Sequence, residues 1–190
     1  MAGLTRGTCE RVPPQRIGIR PLRAADAERL LELRRRSRSY LAPWEPARPE
    51  SFFTLPGQRQ VVDELLSRRA SGQTEPLVVL VDGAVAGGMT LSTIVHGFFS
   101  SCILGYWMAE EFSGRGVAGV AVGMTLEVAF FSLGLHRVEA ATLLDNLASQ
   151  AVLRRNGFEA IGVAPAYLRI AGRWQDHLLF QCLAPAAAPP

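Results

Sequence analysis

The chain has 190 residues, 48% of them hydrophobic, which suits one folded domain with a sizeable core. Its formal net charge of +3 is modest and argues against a general nucleic-acid binder, which usually carries a larger basic excess. The longest apolar runs are too short to cross a membrane, and the polar N-terminus lacks the apolar region of a signal peptide. We therefore predict one domain at 16–183, with flexible segments at 1–15 and 184–190.

The first predicted elements are one strand and two helices. Alternating isoleucines predict a strand at 16–22, and spaced leucines predict an amphipathic helix over 24–41. Four prolines without a clear period predict a loop at 42–57, before a second amphipathic helix at 57–72. The basic run RRRSR at 34–38 lies on the first helix. We interpret it as a solvated face, with a patch for an acidic partner or for phosphates of a cofactor or RNA as the alternative.

An antiparallel meander forms the middle of the chain. Its three strands are predicted at 76–82, 84–95 and 98–109, and Asp82-Gly83 between the first two is a hairpin turn signal. A helix at 117–133 is apolar almost all round and is therefore predicted to be buried. The last predicted elements are a strand at 136–144, a helix at 146–157 and strands at 158–163 and 173–183.

Three widely spaced cysteines, Cys9, Cys102 and Cys182, form neither a metal-binding pattern nor an even set for disulfides. This usage predicts a reducing, cytoplasmic location and no metal centre. Cys102 and Cys182 fall in predicted strands, where we expect them to be buried. None of the three has the sequence context of a catalytic nucleophile.

A glycine cluster separates the meander from the buried helix. Gly114, Gly116 and Gly119 form G-x-G-x-x-G, the spacing of a dinucleotide-binding turn, in which backbone N–H groups approach a phosphate. A Rossmann domain carries this turn on its first strand and continues with several βα units. Here the turn follows a meander and only one further β-α-β unit comes after it. The order therefore argues against NAD, although Glu139 lies where a ribose-binding acid is expected.

Four stretches of the sequence resemble the GNAT superfamily of acyl-CoA-dependent N-acyltransferases, and within it the RimJ/RimL type that acetylates the N-termini of ribosomal proteins. They are IRPLRAADAERLLELRRRSRSYLAPWEP, LGYWMAEEFSGRGVA, LGLHRVEAATLLDNLASQAVLRRNGF and RWQDHLLF. The resemblance implies an α/β fold of the α+β kind, with a mixed, mostly antiparallel sheet flanked by helices and strands that splay before the glycine loop. It also implies acetyl-CoA as cosubstrate and direct attack of an amine on its thioester.

The resemblance further implies the cofactor contacts. In such proteins the phosphate loop reads Q/R-x-x-G-x-G/A, and Ser113 stands here where the family has Gln or Arg. The strand before the loop binds the pantetheine arm through its backbone, and Asn146 either contacts that arm or caps the following helix. The expected cofactor-binding residues are Tyr106, Trp107, Met108, Ser113, Gly114, Arg115, Gly116, Val117, Ala118, Gly119 and Asn146.

Ser149 matches the serine that RimL-type enzymes place near the thiol as a proton donor. Leu153 stands where many other relatives carry a tyrosine, so Ser149 is the local hydroxyl candidate. The alternative is that Ser149 is only a backbone partner in the first helical turn. Glu139 matches an acid that some relatives use as a base through water. Further candidates for the base are Asp176, His177 and His136, each of which could instead be structural.

The acceptor is expected to be the N-terminal α-amine of a protein, such as a ribosomal protein. An α-amine has a pKa of about 8 and a lysine amine one of about 10.4, so a site without an obvious strong base favours the α-amine. A small amine, such as an antibiotic or a polyamine, is the alternative, and the loop at 41–57 is expected to control access. The departures at Ser113 and Leu153 leave open a third possibility, a non-catalytic acyl-CoA-binding or interaction module.

Overall fold

A mixed sheet organises the chain. The computed structural model describes residues 15–186, so Cys9, most of the predicted leading segment and the last four residues lie outside it. Within the described residues the sheet has seven strands in the order β1-β2-β3-β4-β5-β7-β6. Neighbouring strands pair antiparallel, except β4 and β5, which pair parallel. The predicted mixed, mostly antiparallel sheet is therefore confirmed.

The elements follow the predicted order. The strands are β1 (Ile17–Pro21), β2 (Thr74–Val81), β3 (Ala84–Val95), β4 (Ser101–Met108), β5 (Arg137–Leu143), β6 (Glu159–Ile170) and β7 (Arg173–Leu183). The helices are α1 (Ala27–Arg36), α2 (Arg38–Leu41), α3 (Leu55–Ala70), α4 (Val117–Glu127) and α5 (Leu147–Arg155). Short 3-10 turns lie at Ala24–Asp26, Glu50–Phe53 and Glu110–Phe112, and a π-helical turn at Val128–Ser132 extends α4. Among these helices none has the length and hydropathy needed to span a bilayer.

The core lies on both faces of the sheet. Successive strand residues point to opposite faces, and Val78 and Val79 of β2 accordingly belong to different clusters. Val79 packs in the cluster that contains α4 residues such as Val122, whereas Val78 packs with Leu33 of α1 and Val62 of α3. The helices α4 and α5 therefore cover one face, and α1 and α3 cover the other.

The predicted continuous helix at 24–41 is wrong, because the chain turns at Ser37 between α1 and α2. The Ser37 hydroxyl accepts a hydrogen bond from the backbone N–H of Glu110 at 3.0 Å. This side-chain bond to a distant segment holds the break beside the end of β4. Short polar side chains that bond backbone groups commonly compete with helix continuation in this way.

Two further boundaries differ from the prediction. The loop at 42–57 ends early, since α3 already begins after Thr54, whose hydroxyl accepts from the N–H of Gly57 at 3.3 Å and caps the helix. The strand predicted at 158–163 continues to Ile170, because β7 keeps pairing with it past two irregularities in register.

Two predictions of burial are also only partly right. The helix predicted at 117–133 is present, but Val120 and Phe131 are 45% and 52% exposed, because only one side of it faces the sheet. Cys102 is buried in β4, whereas Cys182 in β7 is only partly buried. Cys182 lies near the end of its strand, where its thiol is 3.9 Å from the Asn156 carbonyl just past α5.

The parallel pair β4 and β5 separates soon after it forms. The two strands pair at three positions, the last of which joins Ile103 to Glu139. Beyond that point β4 stays paired with β3 as far as Met108, and β5 stays paired with β7 as far as Leu143. The facing edges of β4 and β5 thus carry backbone groups without strand partners, and such groups require partners of another kind. The predicted splay is confirmed.

Candidate active site

The splay between β4 and β5 opens into a cleft of about 840 Å³ that reaches both faces of the sheet. Two sides of this cleft differ in the residues that line them. The glycine wall comprises Tyr106, Gly114, Gly116, Gly119, Asn146 and Ser149. The arginine wall comprises Arg34, Tyr40, Glu45, Arg48, Phe52 and Trp107.

The glycine turn presents backbone donors to the cleft. Gly114 and Gly116 have left-handed φ angles of +72° and +76°, which favour glycine over any residue with a Cβ. Gly116 caps α4, and the first hydrogen bond of that helix runs from the Val120 N–H to the Gly116 carbonyl. The N–H groups before Val120 therefore have no acceptor within the helix, which makes this helix start suited to an anion. A Cβ at Gly119 would meet nothing within 4 Å, so the space beside it is open.

Most of the predicted cofactor-binding residues meet in this cleft. All of them line it except Arg115, which is exposed outside it. Ser113, which stands in place of the family's Gln or Arg, hydrogen-bonds Tyr40 through the two hydroxyl groups at 2.8 Å. This bond joins the glycine turn to the arginine wall across the mouth of the cleft.

The hydroxyl of Ser149 points to a neighbouring strand rather than to its own helix. Asn146 caps α5 by accepting the Ser149 N–H at 3.1 Å, as predicted. The Ser149 Oγ lies 2.7 Å from the Tyr106 hydroxyl, on a strand of the splay. Burial raises the pKa of Tyr106, while the hydrogen bond to Ser149 acts in the opposite direction. Leu153, in the position of the usual tyrosine, is buried and has no polar group.

Among the candidate bases, His177 alone lines the cleft. His177 is 3% exposed, and its Nδ1 lies 2.9 Å from the Gln175 carbonyl. A carbonyl only accepts, so Nδ1 carries the proton and Nε2 is the basic nitrogen of the neutral ring.

The other three candidate bases lie outside the cleft lining. Glu139 lies in the paired part of β5, beside Cys102. Burial, and to a smaller extent the charge of Glu139, raises the pKa of Cys102 to about 12. Asp176 accepts the Ala166 N–H at 2.8 Å within the β6–β7 hairpin. His136 is exposed just before β5. These placements give Asp176 a structural contact and leave Glu139 dependent on water to reach the cleft.

Arg34 is buried, although the run at 34–38 is predicted to be a solvated helix face. It is 9% exposed, its Nη1 donates to Glu45 Oε2 at 2.7 Å, and its guanidinium carbon lies 3.6 Å from the centroid of the Trp107 ring. Burial lowers the pKa of Arg34 to about 10, although the charge of Glu45 opposes that change. The prediction is wrong at Arg34 because partners distant in sequence compensate the buried charge.

The rest of the run also makes contacts within the molecule. Arg35 donates to the Phe53 carbonyl at 2.7 Å. Arg36 pairs with Glu32 and Glu111, and Arg38 pairs with Glu50, all near the surface. Five residues of the loop predicted at 42–57 line the cleft: Trp44, Glu45, Pro46, Arg48 and Phe52. The loop expected to control access thus forms part of the cleft.

Residues 16–159 match the family described as "Acetyltransferase (GNAT) domain". The chain belongs to the GNAT acetyltransferase family. It is 30% identical over 171 residues to the probable N-acetyltransferase YjcK of Bacillus subtilis, which covers 89% of this chain and 94% of the relative. It is also 30% identical over 182 residues to the [ribosomal protein uS5]-alanine N-acetyltransferase of Escherichia coli, which covers 94% of this chain and 93% of that one.

Among solved structures, the chain resembles Mycobacterium smegmatis RimJ in complex with CoA-disulfide. The two share 33% sequence identity and superpose with a TM-score of 0.86 over 88% of this chain and 82% of that one. These likenesses confirm the RimJ/RimL type and the GNAT fold. This GNAT chain is an acyltransferase related to ribosomal-protein N-acetyltransferases.

One further GNAT cleft residue has an unsatisfied polar group. Thr142 of β5 is 5% exposed and lines the cleft, and no residue of the described range hydrogen-bonds its hydroxyl. A buried hydroxyl without a partner costs about 1–3 kcal/mol, so a polar ligand atom at this point is favoured.

Sequence reasoning missed the two side-chain contacts that shape the GNAT cleft. It assigned Tyr106 a backbone role, whereas its hydroxyl meets Ser149. It assigned Arg34 to solvent, whereas the guanidinium lies against Trp107 and Glu45. The one available signal was for Tyr106, since it is the hydroxyl-bearing residue in the apolar stretch 102–109.

Proposed function

We propose that this chain transfers the acetyl group of acetyl-CoA to the N-terminal α-amine of a protein, such as a ribosomal protein. The observation that carries the proposal is the hydroxyl pair of Tyr106 and Ser149 at the splayed strands, beside the glycine turn. Two comparisons support it: one relative acts on an alanine of ribosomal protein uS5, and one similar structure holds a coenzyme A disulfide.

The residues of the cleft fit coenzyme A. The start of α4 offers backbone N–H groups without helical acceptors, which suits the pyrophosphate. The unpaired edges of β4 and β5 suit the amide groups of the pantetheine arm, and the Thr142 hydroxyl supplies a further polar contact. Acetyl-CoA supplies an acyl thioester, on which an amine forms a C–N bond as the C–S bond breaks. No covalent intermediate on the protein is required.

Ser149 is the proposed proton donor to the departing thiolate. The Tyr106 hydroxyl lies 2.7 Å from Ser149 Oγ and 3.4 Å from the Ser149 carbonyl. In the arrangement that we propose, Tyr106 donates to Ser149 Oγ, which leaves the Ser149 hydrogen available to a group in the cleft. Burial raises the pKa of Tyr106, which keeps its proton in place for this role.

The proton of the attacking amine requires a base. Nε2 of His177 is the basic group that we favour, because His177 lines the cleft and its Nδ1–H is held by the Gln175 carbonyl. Glu139, acting through water, stays a prediction.

To separate these two candidate bases, His177→Gln is compared with Glu139→Gln, and His136→Gln, at an exposed histidine, is the control. We expect only His177→Gln to lower kcat, and a matching effect of Glu139→Gln alone would favour the carboxylate.

Thiol release from acetyl-CoA tests the proposed function directly. The acceptors are peptides that begin with alanine or serine, the same peptides with a blocked N-terminus and one lysine, a polyamine and an aminoglycoside. We expect release with the free N-terminal peptides and little with the others. Preference for the polyamine or the aminoglycoside would support a small-amine enzyme. Binding of acetyl-CoA without thiol release in the presence of any acceptor would support the non-catalytic module.

The cytoplasmic location expected from the cysteines stays a prediction.

A further inference from the structure

Arg34 is a buried cation with unused hydrogen-bonding capacity. A guanidinium group carries five N–H donors in a fixed plane. Within residues 15–186 the one hydrogen bond that Arg34 makes runs from Nη1 to Glu45 Oε2. Its plane is held by Trp107, whose ring centroid is 3.6 Å from the guanidinium carbon. Arg34 lines the cleft while it is 9% exposed, so donors that Glu45 does not use are available to a ligand there.

The position of Arg34 follows from the alternation of β4. Tyr106 and Trp107 are successive strand residues, so their side chains leave opposite faces of the sheet. Tyr106 reaches Ser149 on the glycine wall, and Trp107 lies under Arg34 on the arginine wall. Arg34 is therefore on the opposite side of the splay from the hydroxyl pair. With coenzyme A along the glycine wall, an amine that attacks at the splay approaches from the arginine wall.

We propose that Arg34 donates hydrogen bonds to the carbonyl oxygen of the acceptor's first residue, and so selects peptide α-amines over simple amines. The inference rests on the proposed function and names the group that recognises its substrate. An α-amine of a peptide carries a carbonyl one carbon away, which alkylamines and polyamines lack. A planar donor held rigidly against an aromatic ring suits such an acceptor oxygen.

The charges around Arg34 favour an uncharged oxygen as its partner. Glu45 already neutralises the guanidinium through its ion pair, and Arg48 is close enough to lower the pKa of Arg34 further. A second ammonium group, as in a polyamine, would meet like charge beside the two guanidinium groups, whereas a peptide carbonyl oxygen would not, although Glu64 of α3 also lines the cleft.

The test uses a peptide with N-terminal alanine and its analogue in which an (E)-alkene replaces the first peptide bond. The analogue keeps the amine and the chain shape but lacks the carbonyl oxygen. For the wild-type protein we expect a kcat/KM preference for the peptide of about tenfold to a hundredfold, the range for a hydrogen bond to a charged group. In the Arg34→Gln variant, kcat/KM for the peptide should fall to that for the analogue, and kcat/KM for the analogue should stay at its wild-type value. Arg38→Gln, an exposed arginine of the same run, is the matched control.

Each outcome decides between this inference and its alternatives. An equal loss for peptide and analogue in Arg34→Gln means that Arg34 is only structural, and an unchanged preference means that it does not read the carbonyl. Thermal unfolding with coenzyme A checks that Arg34→Gln folds. If Arg34→Gln does not fold, the kcat/KM ratio of peptide to analogue is measured in Arg34→Lys, which keeps the charge but loses the planar guanidinium. If the wild-type protein turns over no peptide, the proposed function itself fails and this inference fails with it. Peptide turnover without an Arg34 effect overturns this inference alone.

Discussion

The glycine wall and the arginine wall differ in what they present to the cleft. The glycine wall offers backbone N–H groups, small residues and two hydroxyls, and it has no charged side chain among its members. The arginine wall offers charged and aromatic side chains from α1, β4 and the loop before α3. A backbone surface suits a ligand that does not vary, and a side-chain surface can be tuned to a particular acceptor. This difference matches the two proposals above, in which the glycine wall performs the transfer and the arginine wall selects the amine.

The largest expected effect lies on the glycine wall, at its hydroxyl pair. Ser149→Ala should lower kcat about 100-fold to 10,000-fold, the usual contribution of a positioned proton donor. Coenzyme A affinity should stay nearly unchanged, because backbone groups carry that binding. Steady-state kinetics and calorimetry measure the two quantities, and their separation marks a loss in the transition state alone.

Two companion variants sharpen that result. Tyr106→Phe keeps the ring and removes the hydroxyl that orients Ser149, so it should give a smaller loss of kcat in the same direction. Ser71→Ala removes a serine whose hydroxyl only bonds the Arg68 carbonyl at the end of α3, and it should leave kcat unchanged. If Ser149→Ala loses stability and keeps kcat, Ser149 is a structural residue. If coenzyme A affinity falls together with kcat, it is a binding residue.

An ion pair outside the cleft anchors the start of α1, the helix that carries Arg34 of the arginine wall. Asp26, just before α1, accepts from both Nη atoms of Arg20 at 2.7 and 2.8 Å and from the Arg23 N–H at 2.8 Å. Asp26→Asn should lower the free energy of unfolding by about 2 kcal/mol at pH 7, as expected for buried hydrogen bonds to a charged group. Urea unfolding measures it, and the exposed Asp82→Asn, with its bond to the Arg16 N–H, is the control.

The same carboxylate makes part of the stability depend on pH. The hydrogen bond from Arg20 holds the pKa of Asp26 below its usual value, so the folded protein binds the proton less tightly than the unfolded chain does. The stabilisation is complete above the unfolded pKa of about 3.9 and is lost as the pH falls through the lower folded value. Wild-type and Asp26→Asn proteins should therefore converge in stability at low pH. A constant difference between pH 7 and pH 3 would show that this charge is not responsible.

A smaller effect is expected at the glycine turn. Gly116→Val should weaken coenzyme A binding at least tenfold, about 1.4 kcal/mol, because the added side chain enters open space beside the helix start. Gly72→Val is a matched control, since Gly72 has a φ of +73° against +76° for Gly116 and also has nothing within 4 Å of an added Cβ. Both variants place a valine at a similar positive φ, but only Gly116→Val should lose affinity by calorimetry. Equal affinities in the two variants would reject the turn as the phosphate site.

The two walls also differ in how far the sequence predicts them. On the glycine wall, the glycine turn and Asn146 as a cap could be read from their local pattern, and the family resemblance pointed to Ser149. The arginine wall could not be predicted, because a run of arginines has the same sequence pattern whether its side chains are solvated or packed on an aromatic ring. Arg34 is buried by Glu45, Trp107 and Phe52, which lie on different elements. Side-chain partners that only the tertiary fold assembles leave no periodic signal in the sequence.

The smallest expected effect lies at the exposed end of the arginine run. Arg38 pairs with Glu50, and its hydrogen bond to Glu50 raises the pKa of Arg38, but the two side chains are 47% and 80% exposed. Solvent and salt screen such a pair, and the two side chains lose freedom when they hold one geometry. Arg38→Gln should therefore leave the melting temperature, the kinetics and the peptide preference unchanged, at low and at high salt. A clear loss of stability at low salt would mean that this end of the run also supports the cleft. The contrast with Arg34, only four residues away, would then no longer follow from burial.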